Sequence, residues 1–168
     1  RVLTATLVGA AQAVSGAVMQ GLFRNPLADP GLVGVSAGAG FGAVCAIVLG
    51  GFLPAAITAF TGHYLIPSAA FLGGWASTLI LYKIATRGGQ TSVATMLLAG
   101  IAMGALTGAL TGFIVYKADD NQLRDLTFWG MGSVAGATWA KIAVAGPIIA
   151  LTLLTAPVLA RSLDALAL

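Results

Sequence analysis

The chain has 168 residues, of which 58% are apolar and 8% charged, with a mean hydropathy of +0.97 and a net charge of +3. Soluble domains carry roughly 25% charged residues, so a water-soluble globule is excluded, and Lys and Arg scattered at segment ends do not form the clustered basic face that nucleic acid requires. One cysteine, Cys45, excludes an internal disulfide or a Cys-based metal cluster and reads as a small packing residue.

In chain order, Arg1 precedes a run without formal charge, Val2 to Phe23. As a helix that run is about 33 Å long, the thickness of a bilayer's hydrocarbon core, and a first span is expected over Leu3–Leu22. The apolar pattern breaks at Arg24-Asn25-Pro26-Leu27-Ala28-Asp29-Pro30-Gly31, which reads as a turn at a membrane face. From Gly31 to Tyr82 there is again no Asp, Glu, Lys or Arg. A second span is expected from Pro30-Gly31, where Pro suits a first helical turn, to about Leu53. Pro54, Gly62 and Pro67 mark a connection. His63 lies in it and has no ligand partner nearby in sequence, so it reads as a solvated loop residue.

The third span is expected over Ile66–Ile84, closed by Lys83 and Arg87-Gly88-Gly89, and the fourth over Val93–Tyr116. Gly88-Gly89-Gln90-Thr91-Ser92 lacks the Lys and the spacing of a phosphate loop, so this chain is not expected to hydrolyse ATP alone. Lys117–Asp125 is the most polar stretch and reads as a solvated loop. Thr127–Trp139 is apolar but too short to cross, which suits a re-entrant or interfacial helix. The fifth span is expected over Ile142–Ala160, with Pro147 and Pro157 kinking it. The expected fold is all-α: a polytopic transmembrane helical bundle of five spans plus one short helix.

Gly100, Gly104, Gly108 and Gly112 recur every fourth residue in the fourth span, and Gly34, Gly38 and Gly42 repeat the device in the second. Such ridges let helices approach closely in lipid. Packing within one subunit is the plain reading; lining a pathway or a subunit interface is the other. No charged side chain sits mid-span, whereas ion-coupled carriers use intramembrane Asp, Glu or His. An ion-coupled secondary transporter is therefore disfavoured, as are a bare-metal pathway and an enzyme. A non-transporting membrane scaffold is the remaining rival.

Charge placement orients the chain weakly. Arg24, Lys83, Arg87 and Arg161 fall on one side and Arg1, Lys117, Arg124 and Lys141 on the other. The short acid-free Lys83–Arg87 connection favours its own face as cytoplasmic.

The stretch Ser15-Gly16-Ala17-Val18-Met19-Gln20-Gly21-Leu22-Phe23-Arg24-Asn25-Pro26-Leu27-Ala28-Asp29-Pro30-Gly31-Leu32-Val33-Gly34-Val35-Ser36 resembles the permease family of bacterial ABC importers for iron chelates and vitamin B12. Leu97-Leu98-Ala99-Gly100-Ile101-Ala102 and Leu123-Arg124-Asp125-Leu126-Thr127-Phe128-Trp129-Gly130-Met131-Gly132-Ser133 fit the same family, and the similarity covers essentially the whole chain. The resemblance implies a ten-helix permease of the inner membrane, working as a homodimer with two cytoplasmic ATPase subunits and a periplasmic binding protein. Residues 1–168 would then be a partial permease domain covering family helices two to six. The first helix and the C-terminal half would be missing, including the ATPase-docking segment that would follow Ala165-Leu166-Ala167-Leu168. The chain would bind no cofactor itself, ATP being used by the partner subunits.

By the same resemblance the Arg24–Asp29 and Lys83–Thr91 turns face the cytoplasm. Arg1 matches the second Arg of an Arg-x-Pro-Arg motif whose Arg residues pair with Glu on the binding protein; otherwise it anchors a helix end among headgroups. Ser92, Val93, Ala94 and Thr95 fall at the cytoplasmic gate. The Ala118–Trp129 stretch looks most like haemin importers, ahead of ferric-siderophore and B12 permeases.

Overall fold

The computed structural model describes the backbone of residues 1–167 and their side chains except those of Leu32, Thr58, Phe60 and 161–167. The expectations for Arg161 and for Ala165–Leu168 lie outside the described side chains. The helices are α1 (Val2–Phe23), α2 (Val35–Leu49), α3 (Ala55–Thr61), α4 (Leu65–Ala85), α5 (Val93–Val115), α6 (Asp120–Met131) and α7 (Trp139–Ala167). Short 3-10 turns at Pro30–Val33, Gly50–Phe52 and Gly62–Tyr64 lie among them, and strands β1 (Thr86–Arg87) and β2 (Gln90–Thr91) join α4 to α5.

Among the described residues five stretches are long and apolar enough to cross a membrane: Val2–Phe23, Val35–Phe52, Gly62–Ala85, Val93–Val115 and Trp139–Ala160. The all-α, five-span architecture read from the sequence is the observed one. On α7, Leu151 and Leu154 are 65% and 76% exposed, a surface suited to hydrocarbon or further protein rather than to water.

Contacts group the residues into two compact units, Arg1–Asp29 with Gly132–Leu168, and Pro30–Met131. In the first, α1 packs along α7. The segment 132–138 leading into α7 is built from turns: Ser133 Oγ accepts the Ala135 N–H at 3.0 Å, and Lys141 Nζ donates to the Gly136 carbonyl at 2.8 Å. Thr138 Oγ1 accepts the Lys141 N–H at 3.3 Å, capping the first turn of α7 as a threonine hydroxyl does at an N-cap.

In the second unit α2 packs most extensively on α4, and α5 rests on both. The contact is close because α2 and α4 present glycine to each other. A Cβ on Gly38 would strike Gly73 and Ser77, one on Gly42 would strike the Ala69 carbonyl, and one on Gly73 would strike the Gly38 carbonyl. The apolar core beside this seam includes Ala43, Val44, Val48, Leu81 and Ala85. Lipid supplies no hydrophobic drive between helices, so this backbone-to-backbone approach carries the association.

Several boundaries differ from those expected. The second span becomes α-helical only at Val35, because Gly34 adopts φ +70° and separates the Pro30–Val33 turn from α2. The Pro54–Pro67 connection holds α3, and Pro67 sits inside the first turn of α4, where a missing N–H costs nothing. Lys117–Asp125 is not a loop throughout, and the short helix expected over Thr127–Trp139 lies earlier, at Asp120–Met131. Its charges occupy the outer face of an amphipathic helix, and its start is fixed by a capping pair, Asp119 and Gln122. Gly132, at φ +66°, follows its end. The fifth span starts at Trp139 and runs through both Pro147 and Pro157 as one helix.

Candidate functional site

The turn that ends the first span is built by its own residues. Arg24 adopts a left-handed conformation (φ 49°, ψ 38°) and its N–H donates to the Gly21 carbonyl at 3.2 Å. The Asn25 N–H donates to the Gln20 carbonyl at 3.1 Å. This bond pair is the Schellman arrangement, which satisfies carbonyls that a helix end would otherwise orphan. Asn25 Oδ1 then accepts the Leu27 N–H at 2.9 Å, and the Asn25 carbonyl accepts the Ala28 N–H at 3.0 Å. Pro26 lies within this turn and Asp29 is exposed at its end. Pro30 opens the following 3-10 turn, closed when the Gly34 N–H reaches the Gly31 carbonyl at 3.0 Å. The side-chain turn accounts for Asn25 and the start of the 3-10 turn for Pro30.

A second structured turn joins α4 and α5. β1 and β2 pair antiparallel, Thr86 with Thr91 and Arg87 with Gln90. Gly88 and Gly89 between them have φ +59° and +78°, the positive pair that a type I′ hairpin turn needs. The Thr86 and Thr91 hydroxyls lie 2.8 Å apart, and the Ser92 N–H donates to the Ala85 carbonyl at 2.9 Å. Ser92 Oγ accepts from the Thr95 N–H at 3.3 Å and from Thr95 Oγ1 at 2.9 Å, so Ser92 caps α5.

Above this cap lies a cavity of about 440 Å³ lined by Arg87, Gln90, Thr91, Ser92 and Thr95 over Ile84 and Ala85. Of the four gate candidates, Ser92 and Thr95 line it, whereas Val93 and Ala94 are exposed outside the lining. Arg87 brings the one charge among the lining residues. Small hydroxyls and a single cation make a weakly polar rim without strong ligands.

Of the α5 glycines, Gly100 is buried, while open space adjoins Gly104, Gly108 and Gly112 where a Cβ would stand. Gly104 and Gly108 face a groove of about 410 Å³, walled by Ser36, Phe41 and Val44 of α2 and by Leu126 and Trp129 of α6. The closest backbone approach in this unit thus belongs to the α2 glycines, not to these three.

In the other unit Arg1 is exposed and its Nε donates to the Ala135 carbonyl at 3.2 Å. It borders a cavity of about 480 Å³ with Val2, Leu3, Thr138 and Trp139. His63 is exposed in the Gly62–Tyr64 turn, and among the described residues no three His, Cys, Asp or Glu side chains group as a metal site. Cys45 is a half-buried free thiol.

Sequence reasoning missed three features. The hairpin was signalled by Gly-Gly between Thr-Arg and Gln-Thr, a two-residue turn flanked by strand formers. The α6 start was signalled by Asp119-x-x-Gln122, a capping-box spacing. Ser77, which donates to the Gly34 carbonyl at 2.9 Å across 43 residues, had no local signal at all.

The whole chain, residues 1–168, matches the model of the FecCD transport family. It is 44% identical over 166 residues to the hemin transport system permease protein HmuU of Yersinia pestis, covering 99% of this chain and 48% of that protein. It is 44% identical over 140 residues to the vitamin B12 import system permease protein BtuC of Escherichia coli (83% and 40%). A Halobacterium salinarum cobalamin import system permease protein is 41% identical over 149 residues (89% and 38%). A solved structure described as the inward-facing conformation of a metal-chelate type ABC transporter superposes with a TM-score of 0.76 at 32% identity, covering 90% of this chain and 45% of that one. The chain spans about half the length of the curated relatives it matches.

Proposed function

Because this chain belongs to the FecCD transport family, we propose that it forms part of the membrane permease of an ABC importer that carries an iron-bearing chelate, haemin first, across a bacterial inner membrane. The observation that carries this reading is the family match along all of residues 1–168. The HmuU relative, aligned over 99% of the chain, favours haemin; BtuC, equal in identity over a shorter stretch, keeps vitamin B12 as the alternative. A ferric siderophore is a third substrate of the same kind. Each is a large, rigid ligand that moves past a surface without being held by it. Spans free of strong ligands suit that task.

In this reading the permease pairs with a second copy of itself, with two cytoplasmic ATPase subunits and with a periplasmic binding protein. ATP binding and hydrolysis on the partner subunits switch the path between outward and inward access, and this chain hydrolyses nothing. Ser92 and Thr95 stand at the inner gate, where their hydroxyls are occupied by the α5 cap and offer a departing chelate little to bind. Arg1 meets an acidic residue of the binding protein through the guanidinium nitrogens that Ala135 leaves unused. Gly104 and Gly108 keep the wall of α5 free of side chains.

The test is uptake by the full-length permease reconstituted with its ATPase and binding protein. Haemin, a ferric siderophore and cyanocobalamin are offered in turn. ATP-dependent accumulation of haemin alone is expected. Accumulation of cobalamin alone replaces the substrate, and uptake of none of the three removes the reading.

A further inference from the structure

Gln122 serves two partners with one amide. Its Oε1 accepts the Asp119 N–H at 3.1 Å while its own N–H donates to Asp119 Oδ1 at 2.8 Å, which closes the capping box of α6. Its Nε2 donates to the Val48 carbonyl at 3.2 Å, 74 residues away. Val48 is 3% exposed in the last turn of α2, directly before the Gly50–Phe52 3-10 turn. Only one orientation of the amide satisfies both bonds. Further along α6, Leu126 and Trp129 wall the groove over Gly104, Thr107 and Gly108.

We propose that Gln122 is a positioning residue that pins the first turn of α6 to the last turn of α2, and so sets how far the groove between α2, α5 and α6 stands open. The bond joins the last turn of α2 to the first turn of α6. Glutamate at this position keeps the Oε acceptor of the capping box but loses the donor, and it sets a carboxylate oxygen against the Val48 carbonyl. It separates the pin from the cap. The inference concerns the packing of one unit and holds whichever substrate is carried.

The experiment uses the full-length permease in lipid nanodiscs, with Cys45 and any further cysteine of the full-length protein replaced by Ser and Thr107→Cys placing a reporter in the groove. Thr107 is 7% exposed. Gln122→Glu is expected to speed maleimide labelling of the reporter by about 3- to 10-fold, the range set by losing one hydrogen bond. Gln122→Met, uncharged and without either amide group, is expected to do the same and serves if the glutamate variant does not fold. Asp119→Ala breaks the cap but spares the Val48 bond, and labelling should stay at the parental rate. Parental rates in both Gln122 variants overturn the proposal. So does an equal rise in Asp119→Ala, which would make fraying of α6 the cause.

Discussion

The Ser77 hydroxyl donates to the Gly34 carbonyl at 2.9 Å, and both residues are buried. Gly34 is where the second span changes from 3-10 turn to α-helix at φ +70°, so one side chain of α4 holds the irregular backbone of the neighbouring span. Non-helical backbone at membrane depth is tolerated where protein satisfies it. Ser77→Ala should lower stability by about 0.5–1.5 kcal/mol, the net worth of one such bond, read as a lower unfolding midpoint of the full-length permease in detergent. An unchanged midpoint would show that the bond contributes nothing.

The glycines of α2 should separate by face. A Cβ on Gly42 would meet the Ala69 carbonyl and one on Gly38 the Gly73 carbonyl, whereas Gly40 has nothing within 4 Å. Backbone cannot yield as a side-chain tip can. Gly38→Ala and Gly42→Ala should each cost about 1–3 kcal/mol or more through overpacking, while Gly40→Ala should be neutral or gain up to about 1 kcal/mol from helix propensity. Thermal midpoints of the three variants check this directly.

The Gly88-Gly89 turn positions Ser92 through the hairpin and the Ser92 to Ala85 bond. Gly89→Val forces a β-branched residue to φ near +78°, at a cost of about 1–3 kcal/mol. It should slow ATP-driven uptake while leaving the assembly with ATPase subunits and binding protein intact. Gly88→Asn, which tolerates positive φ, should transport as the parent does.

Orientation is open to direct labelling. In a cysteine-free background that includes Cys45→Ser, a membrane-impermeant thiol reagent should reach Asp29→Cys and Gly88→Cys from the cytoplasmic side and Lys117→Cys from the opposite side. Labelling of all three from one side would reject the alternation of spans.

Five spans and their order were legible because charge is absent from each run and returns only at the ends, a signal that needs no knowledge of neighbours. Periodic glycine in the second span likewise announced close packing, and Gly38 and Gly42 meet α4. The start of α6 was hidden because charge density around Lys117–Asp125 reads as solvated chain, whereas the decisive signal was the three-residue spacing of Asp119 and Gln122. Ser77–Gly34 and Gln122–Val48 are long-range pairs, created only when α4 or α6 meets α2. At the hairpin, strand pairing signalled by Gly88-Gly89 brings Arg87 and Gln90 to the same cavity as Ser92 and Thr95.

Lys83 and Lys141 lie at the ends of their spans and no Asp, Glu, Lys or Arg sits mid-span among the described residues; on the proposed function the energy for transport comes from partner subunits. The most direct measurement is substrate uptake by the reconstituted full-length permease with an ATPase subunit that binds but cannot hydrolyse ATP, beside the intact enzyme with a protonophore. The account predicts that uptake is abolished in the first case and unchanged in the second. Uptake that survives loss of hydrolysis and collapses with the proton gradient would contradict it.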